Sequence, residues 1–157
     1  MSDNENQGKI AKIVEKKFPN IYMIGKSGEL EICRKLFKLG FAVIRVPASG
    51  RRSKRLTYPD IVAIKNGRVL VFEVKIRETI SSIYIRSSQI RKCMGFVKRS
   101  GGIALLAIKI KSEGVWKVIE MHKFSSKGFT TDNVLISSEE IRNAENLFDW
   151  LKRNGYI

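Results

Sequence analysis

The sequence predicts a single α/β domain with a central mixed β-sheet flanked by helices. Three observations predict it. Two stretches place mostly apolar residues on one helical face at i, i+3, i+4 and i+7: Glu29, Ile32, Cys33 and Leu36, then Ile90, Cys93, Met94 and Val97. Between them runs RVLVFEVKI (68–76), apolar on both faces as a central, covered strand is. The length, 157 residues, suits one domain whose core needs no staples.

Each element follows from local signals. Residues 1–24 are polar with scattered Ile10, Ile13, Val14 and Phe18, and read as an N-terminal extension to a domain over 25–157. Ser27 is placed to cap a helix over 27–39, and Gly40 to stop it. FAVIRV (41–46) is a β-branched strand ended by Pro47. The loop PASGRRSKRLTY (47–58) carries Arg51, Arg52, Lys54 and Arg55. DIVAI (60–64) then turns through Lys65-Asn66-Gly67, a hairpin signal, into the central strand. A short SIYI strand precedes the second helix, which stops at Gly101-Gly102. IALLAIKI (103–110) and VWKVIEM (115–121) form a hairpin through Ser112-Glu113-Gly114. Ser137 and Glu140 make a capping box for one last helix bearing Ile141, Ala144, Leu147, Phe148 and Leu151.

Composition narrows the function classes. Hydrophobic residues at 43% and charged residues at 29% describe a globular chain. No apolar run approaches membrane-spanning length, and the N-terminus lacks a signal-peptide core, so a cytoplasmic protein is expected. Cys33 and Cys93 have no CxxC partner and no nearby histidine, which argues against a thiolate metal site; both read as small buried hydrophobes. Trp116 and Trp150 read as packing residues and His122 as structural or solvated. Thirty Lys and Arg against fifteen Asp and Glu give +15, a balance that points to a polyanion. Nucleic acid fits better than anionic lipid, because no high-moment membrane helix is evident.

The chemistry concentrates on the central strand. Glu73 and Lys75 share one of its faces, and charge on a buried strand is costly unless paired or metal-bound. The tight Asn66-Gly67 turn can bring Asp60, at the start of the preceding strand, alongside Glu73. Two carboxylates on adjacent strands offer hard oxygen ligands to Mg²⁺, with Mn²⁺ as a substitute. Such an ion acidifies water and stabilises charge on a phosphate, and Lys75 can orient either, which is the chemistry of phosphodiester hydrolysis. The plainer alternative is a surface Glu-Lys ion pair; the strand's burial favours the site. Glu29, on the core side of the first helix, is a candidate third acid, or else a rim residue favoured by the helix dipole. Arg45 is either an edge residue or a phosphate contact. Ser49 and the four cations after it read as a mobile phosphate-binding arm, with a plain solvated loop as the alternative.

In order, the chain carries Gly25 and Glu29, GFAVIR (40–45), PASG (47–50), PDI (59–61), the ExK strand (73–75), Tyr84, Arg86 and Gln89, and Gly101-Gly102. This series resembles the archaeal Holliday junction resolvases (Hjc and Hje) of the PD-(D/E)xK nuclease superfamily. The resemblance implies a restriction-endonuclease-like fold. It implies a homodimer that nicks paired strands of a four-way DNA junction with Mg²⁺. By position, Glu29, Asp60, Glu73 and Lys75 would be catalytic, with the three acids on the metal, and Arg45 and Ser49 would support catalysis or contact DNA. Arg86 is counted with the DNA-binding cations. The family usually has arginine where this chain has Leu30, and Lys26 is the neighbouring cation that could take over its contact. Sliding clamps and branch-migration proteins are the partners such an enzyme would meet. Two rival readings are kept: a related nuclease acting on other DNA structures, and a DNA-binding module without chemistry.

Overall fold

A computed structural model describes residues 28–46, 58–127 and 132–157, with only the backbone of residues 125 and 126. Its order is α1 (Gly28–Lys38), β1 (Ala42–Arg45), β2 (Ile61–Lys65), β3 (Arg68–Arg77), β4 (Ile83–Arg86), α2 (Ser87–Ser100), β5 (Ile103–Ile110) and β6 (Val115–Glu120). A 3₁₀ segment (Met121–Lys127), β7 (Asn133–Ile136), α3 (Ser138–Asn143), β8 (Glu145–Asn146) and α4 (Leu147–Arg153) complete it.

Six strands form one mixed sheet in the order β1-β2-β3-β5-β6-β8. The Asn66-Gly67 turn sets the β2–β3 register, with Lys65 opposite Arg68 and Ile61 opposite Phe72. Both turn residues have positive φ, +51° at Asn66 and +72° at Gly67, as a two-residue hairpin turn of this hand requires. β3 and β5 run parallel, Leu70 facing Ile103, and α2 lies on the connection between them. The Gly101-Gly102 pair closes this crossover. Gly101 ends α2 in the left-handed conformation, with its N–H donating to the Val97 carbonyl. A Cβ at Gly102 would lie 2.5 Å from the Val69 carbonyl oxygen, so only glycine lets β5 start this close to β3.

β3 divides the core in two. Leu70 and Phe72 pack with Ile32 and Leu36 of α1, together with Trp150, Leu151 and Tyr156. Val71 packs on the opposite side with Ile90 and Cys93 of α2. Both faces of β3 are therefore covered, as its apolar pattern predicts. Trp116 and Trp150 are buried packing residues, and His122 is exposed beside Glu120. Cys93 is fully buried, whereas Cys33 is only half-buried. Burial pushes the Cys33 thiol up to about 11 and the Cys93 thiol up to about 12, so neither supplies a thiolate near neutral pH.

One feature adds to the sequence reading and a second departs from it. The SIYI strand does not join the main sheet; it pairs antiparallel with β7, a partner about fifty residues away, Tyr84 facing Leu135. The last helix is two helices. Ser137 does form the capping box with Glu140, but α3 ends at Ala144, whose backbone is extended. Glu145 and Asn146 then pair with Val118 and Lys117 of β6. Lys117 donates to the carbonyls of Arg142 and Ala144, and Asn146 caps α4 by accepting from the Phe148 N–H. No helix among the described residues is long and apolar enough to cross a membrane.

Candidate active site

The site grows from the β2–β3 hairpin. Asp60 precedes β2 and is pinned at both ends: its N–H donates to the Phe72 carbonyl at 3.1 Å, and its Oδ2 accepts the Val74 N–H at 2.9 Å. These bonds straddle Glu73 and hold the Asp60 carboxylate against the middle of β3. Glu73 points to the α2 side of the sheet and is 1% exposed. Its Oε1 accepts from Lys75 Nζ at 2.9 Å and from Gln89 Nε2 at 2.5 Å. Lys75 Nζ also lies 3.5 Å from Gln89 Oε1.

Glu73 Oε2, by contrast, is buried and has no partner among the described residues. A buried polar atom left in this way costs about 1–3 kcal/mol. Burial first, and the Asp60 charge second among the effects that raise it, push the Glu73 carboxyl above the usual carboxylate range; Lys75 and Lys92 pull against them. An unpaired buried oxygen beside a second carboxylate is a donor set that a hard divalent cation would satisfy.

The raised Glu73 carboxyl gives a stability prediction. The folded state holds this proton more tightly than the unfolded chain does. Stability is therefore lost as pH rises from the ordinary carboxylate range through the raised folded value. Glu73→Gln removes that loss while keeping an oxygen to accept from Lys75. In metal-free buffer at pH 7 the variant is expected to melt above the natural chain, each kcal/mol recovered being worth roughly 2–4 °C at this size. At pH 4 the advantage should shrink. Thermal melts at both pH values check this; a lower midpoint at pH 7 contradicts it.

Glu29 comes from a third element. It lies in the first turn of α1, which covers the Leu70–Phe72 side of the sheet, whereas Glu73 faces α2. Its Oε2 accepts from Arg45 Nε at 2.7 Å. Arg45 is thus an exposed residue of edge strand β1 with an acidic partner. No three carboxylate, histidine or cysteine side chains converge in a metal-binding group among the described residues. Arg86 is exposed at the end of β4, at the N-cap position of α2. Lys26, Ser49, Arg51, Arg52, Lys54 and Arg55 lie outside the described residues. The sequence reading counted Gln89 in the family pattern but assigned it no role in the site; only the fold shows that it faces Glu73.

The family model described as archaeal Holliday junction resolvase (Hjc) matches residues 20–155. The chain is 44% identical over 86 residues to crossover junction endodeoxyribonuclease Hjc of Sulfurisphaera tokodaii, covering 55% of this chain and 59% of the relative. To Hje of Sulfolobus acidocaldarius it is 33% identical over 112 residues, 70% of this chain and 78% of the relative. Against the S. tokodaii and S. acidocaldarius Hjc relatives, the match spans only about three fifths of their length, 59% and 62%. The solved structure of Hjc from Archaeoglobus fulgidus superposes with a TM-score of 0.64 over 79% of this chain and 92% of that one, at 23% identity, a likeness of fold. The chain belongs to the archaeal Holliday junction resolvase family.

Proposed function

We propose that the chain is a metal-dependent DNA endonuclease that resolves four-way junctions, nicking paired strands as a homodimer. The observation that carries this reading is the pairing of Asp60 with a buried Glu73 whose Oε2 is unpartnered, beside Lys75, in a chain of charge +15. Asp60 and Glu73 would hold a Mg²⁺ or Mn²⁺ ion. When bound, such an ion supplies the Lewis acidity that phosphodiester hydrolysis needs. The chain's own residues do the rest. The bonds to Phe72 and Val74 fix the Asp60 carboxylate in place. Glu73 holds Lys75 Nζ at the mouth of the site, where the ammonium can orient the attacking water or stabilise charge on the scissile phosphate. Arg86 and the cations that the sequence carries in segment 47–57 serve to bind phosphates, and phosphate contacts carry shape rather than sequence information. Glu29 is retained as a supporting acid next to Arg45, and Ser49 as a supporting residue on the basic segment. A homodimer suits a four-way junction, which presents two equivalent strands. Sliding clamps and branch-migration proteins are proposed partners on the family relation alone.

Competition tests the substrate. A labelled four-way junction bound without metal should be displaced readily by unlabelled junction. Linear duplex of the same sequence should require at least about tenfold more, an energy difference of about 1.4 kcal/mol. Equal displacement by duplex would reject junction selectivity and favour a nuclease acting on other DNA structures.

A further inference from the structure

We infer that Gln89 is a positioning residue that turns Glu73 Oε2 toward the metal, an inference that rests on the metal-dependent reading above. The amide orientation is fixed by its neighbours. Glu73 Oε1 needs a donor and Lys75 Nζ needs an acceptor, so the NH₂ faces the carboxylate at 2.5 Å and the carbonyl faces the ammonium at 3.5 Å. Gln89 thereby touches both charged residues of the ExK strand from a different element, the first turn of α2. Its donation and that of Lys75 converge on the same Glu73 oxygen, Oε1. This double occupation fixes the carboxylate plane and leaves Oε2 bare in a buried position. Without Gln89, Lys75 alone would hold Oε1, and the carboxylate could rotate to present either oxygen to it. Partners of this kind, one shell behind a ligand, typically change metal affinity or activity by about 10–100-fold when removed.

The experiment uses the full chain, the natural sequence alongside Gln89→Leu, Gln89→Met and Glu73→Gln. Three quantities are read: Mn²⁺ affinity by calorimetry, the metal-free thermal midpoint, and kcat and KM for a labelled four-way junction at fixed sub-saturating Mn²⁺. Both Gln89 variants are expected to bind Mn²⁺ about 10–100-fold more weakly and to lose kcat by a similar factor. Junction KM and the metal-free midpoint should stay within about twofold and about 2 °C of the natural chain, because side-chain packing of α2 is unaltered. Natural-chain Mn²⁺ affinity in both variants, while Glu73→Gln loses it, overturns the role of Gln89 and spares the metal site. Weakened affinity matched by a large fall in midpoint also overturns it, since a packing role would then account for the loss. A natural chain that takes up no Mn²⁺ overturns this inference and the metal-dependent reading together.

Discussion

Replacing Asp60 with asparagine is expected to abolish junction cleavage while leaving junction binding intact. The two side chains have the same shape. The substituted amide would still accept the Val74 N–H through its carbonyl oxygen, as Asp60 Oδ2 does at 2.9 Å, so the β2–β3 hairpin should keep its register. What changes is the other arm, which becomes an NH₂ donor and cannot act as a hard anionic ligand. Loss of one charged ligand from a two-carboxylate site should lower kcat by at least about 10³-fold, equivalent to about 4 kcal/mol. Affinity for the junction without metal should stay level or rise, because the substitution removes negative charge from a surface that meets phosphates. Single-turnover cleavage and metal-free gel-shift measurements on the same preparation check both halves. Retained cleavage would place the chemistry elsewhere, and lost binding would make Asp60 a structural residue.

Trp150→Ala should be among the most destabilising single changes in the chain. Trp150 is 2% exposed and stacks on Tyr156 at 5.7 Å, which stacks in turn on Phe41 at 5.8 Å, while Arg68 lies over the Tyr156 ring at 3.8 Å. Its Nε1 donates to Glu120 Oε1 at 2.9 Å. The side chain thus ties α4 to β6 and to the loop before β1. Truncating a buried tryptophan costs about 3–5 kcal/mol, which for a chain of this size lowers the midpoint by roughly 6–20 °C. Urea unfolding at a temperature where both proteins are folded measures the loss. A change below about 1 kcal/mol would mean that α4 is not part of the cooperative unit.

The core of the candidate site was legible because it is local. A two-residue Asn66-Gly67 turn leaves one favoured register, and that register sets Asp60 beside Glu73. The apolar pattern of β3 on both faces announced its central position. The features that escaped depend on distant chain or on a broken period. β7 is four residues long and finds β4 across about fifty positions, so neither strand advertises the other. Ala144, Leu147 and Leu151 continue a helical spacing across the point where the backbone turns extended. The break is decided by the pairing of Glu145 and Asn146 with β6 and by the second cap at Asn146. Glu29 sits on the helical face that bears Ile32 and Leu36, and in the first turn of α1 it accepts from Arg45, a partner from β1 that no spacing within the helix announces. Gln89 shows the same limit: its partners come from β3, and no spacing within α2 points to them.

The most direct test of the central claim is a cleavage assay on a labelled synthetic four-way junction, with Mg²⁺ or with EDTA, beside linear duplex and flap controls. The proposed function predicts symmetric nicking of the junction that requires Mg²⁺ and spares the controls. Tight junction binding with no cleavage in Mg²⁺ or Mn²⁺ would contradict the claim and leave a DNA-binding module.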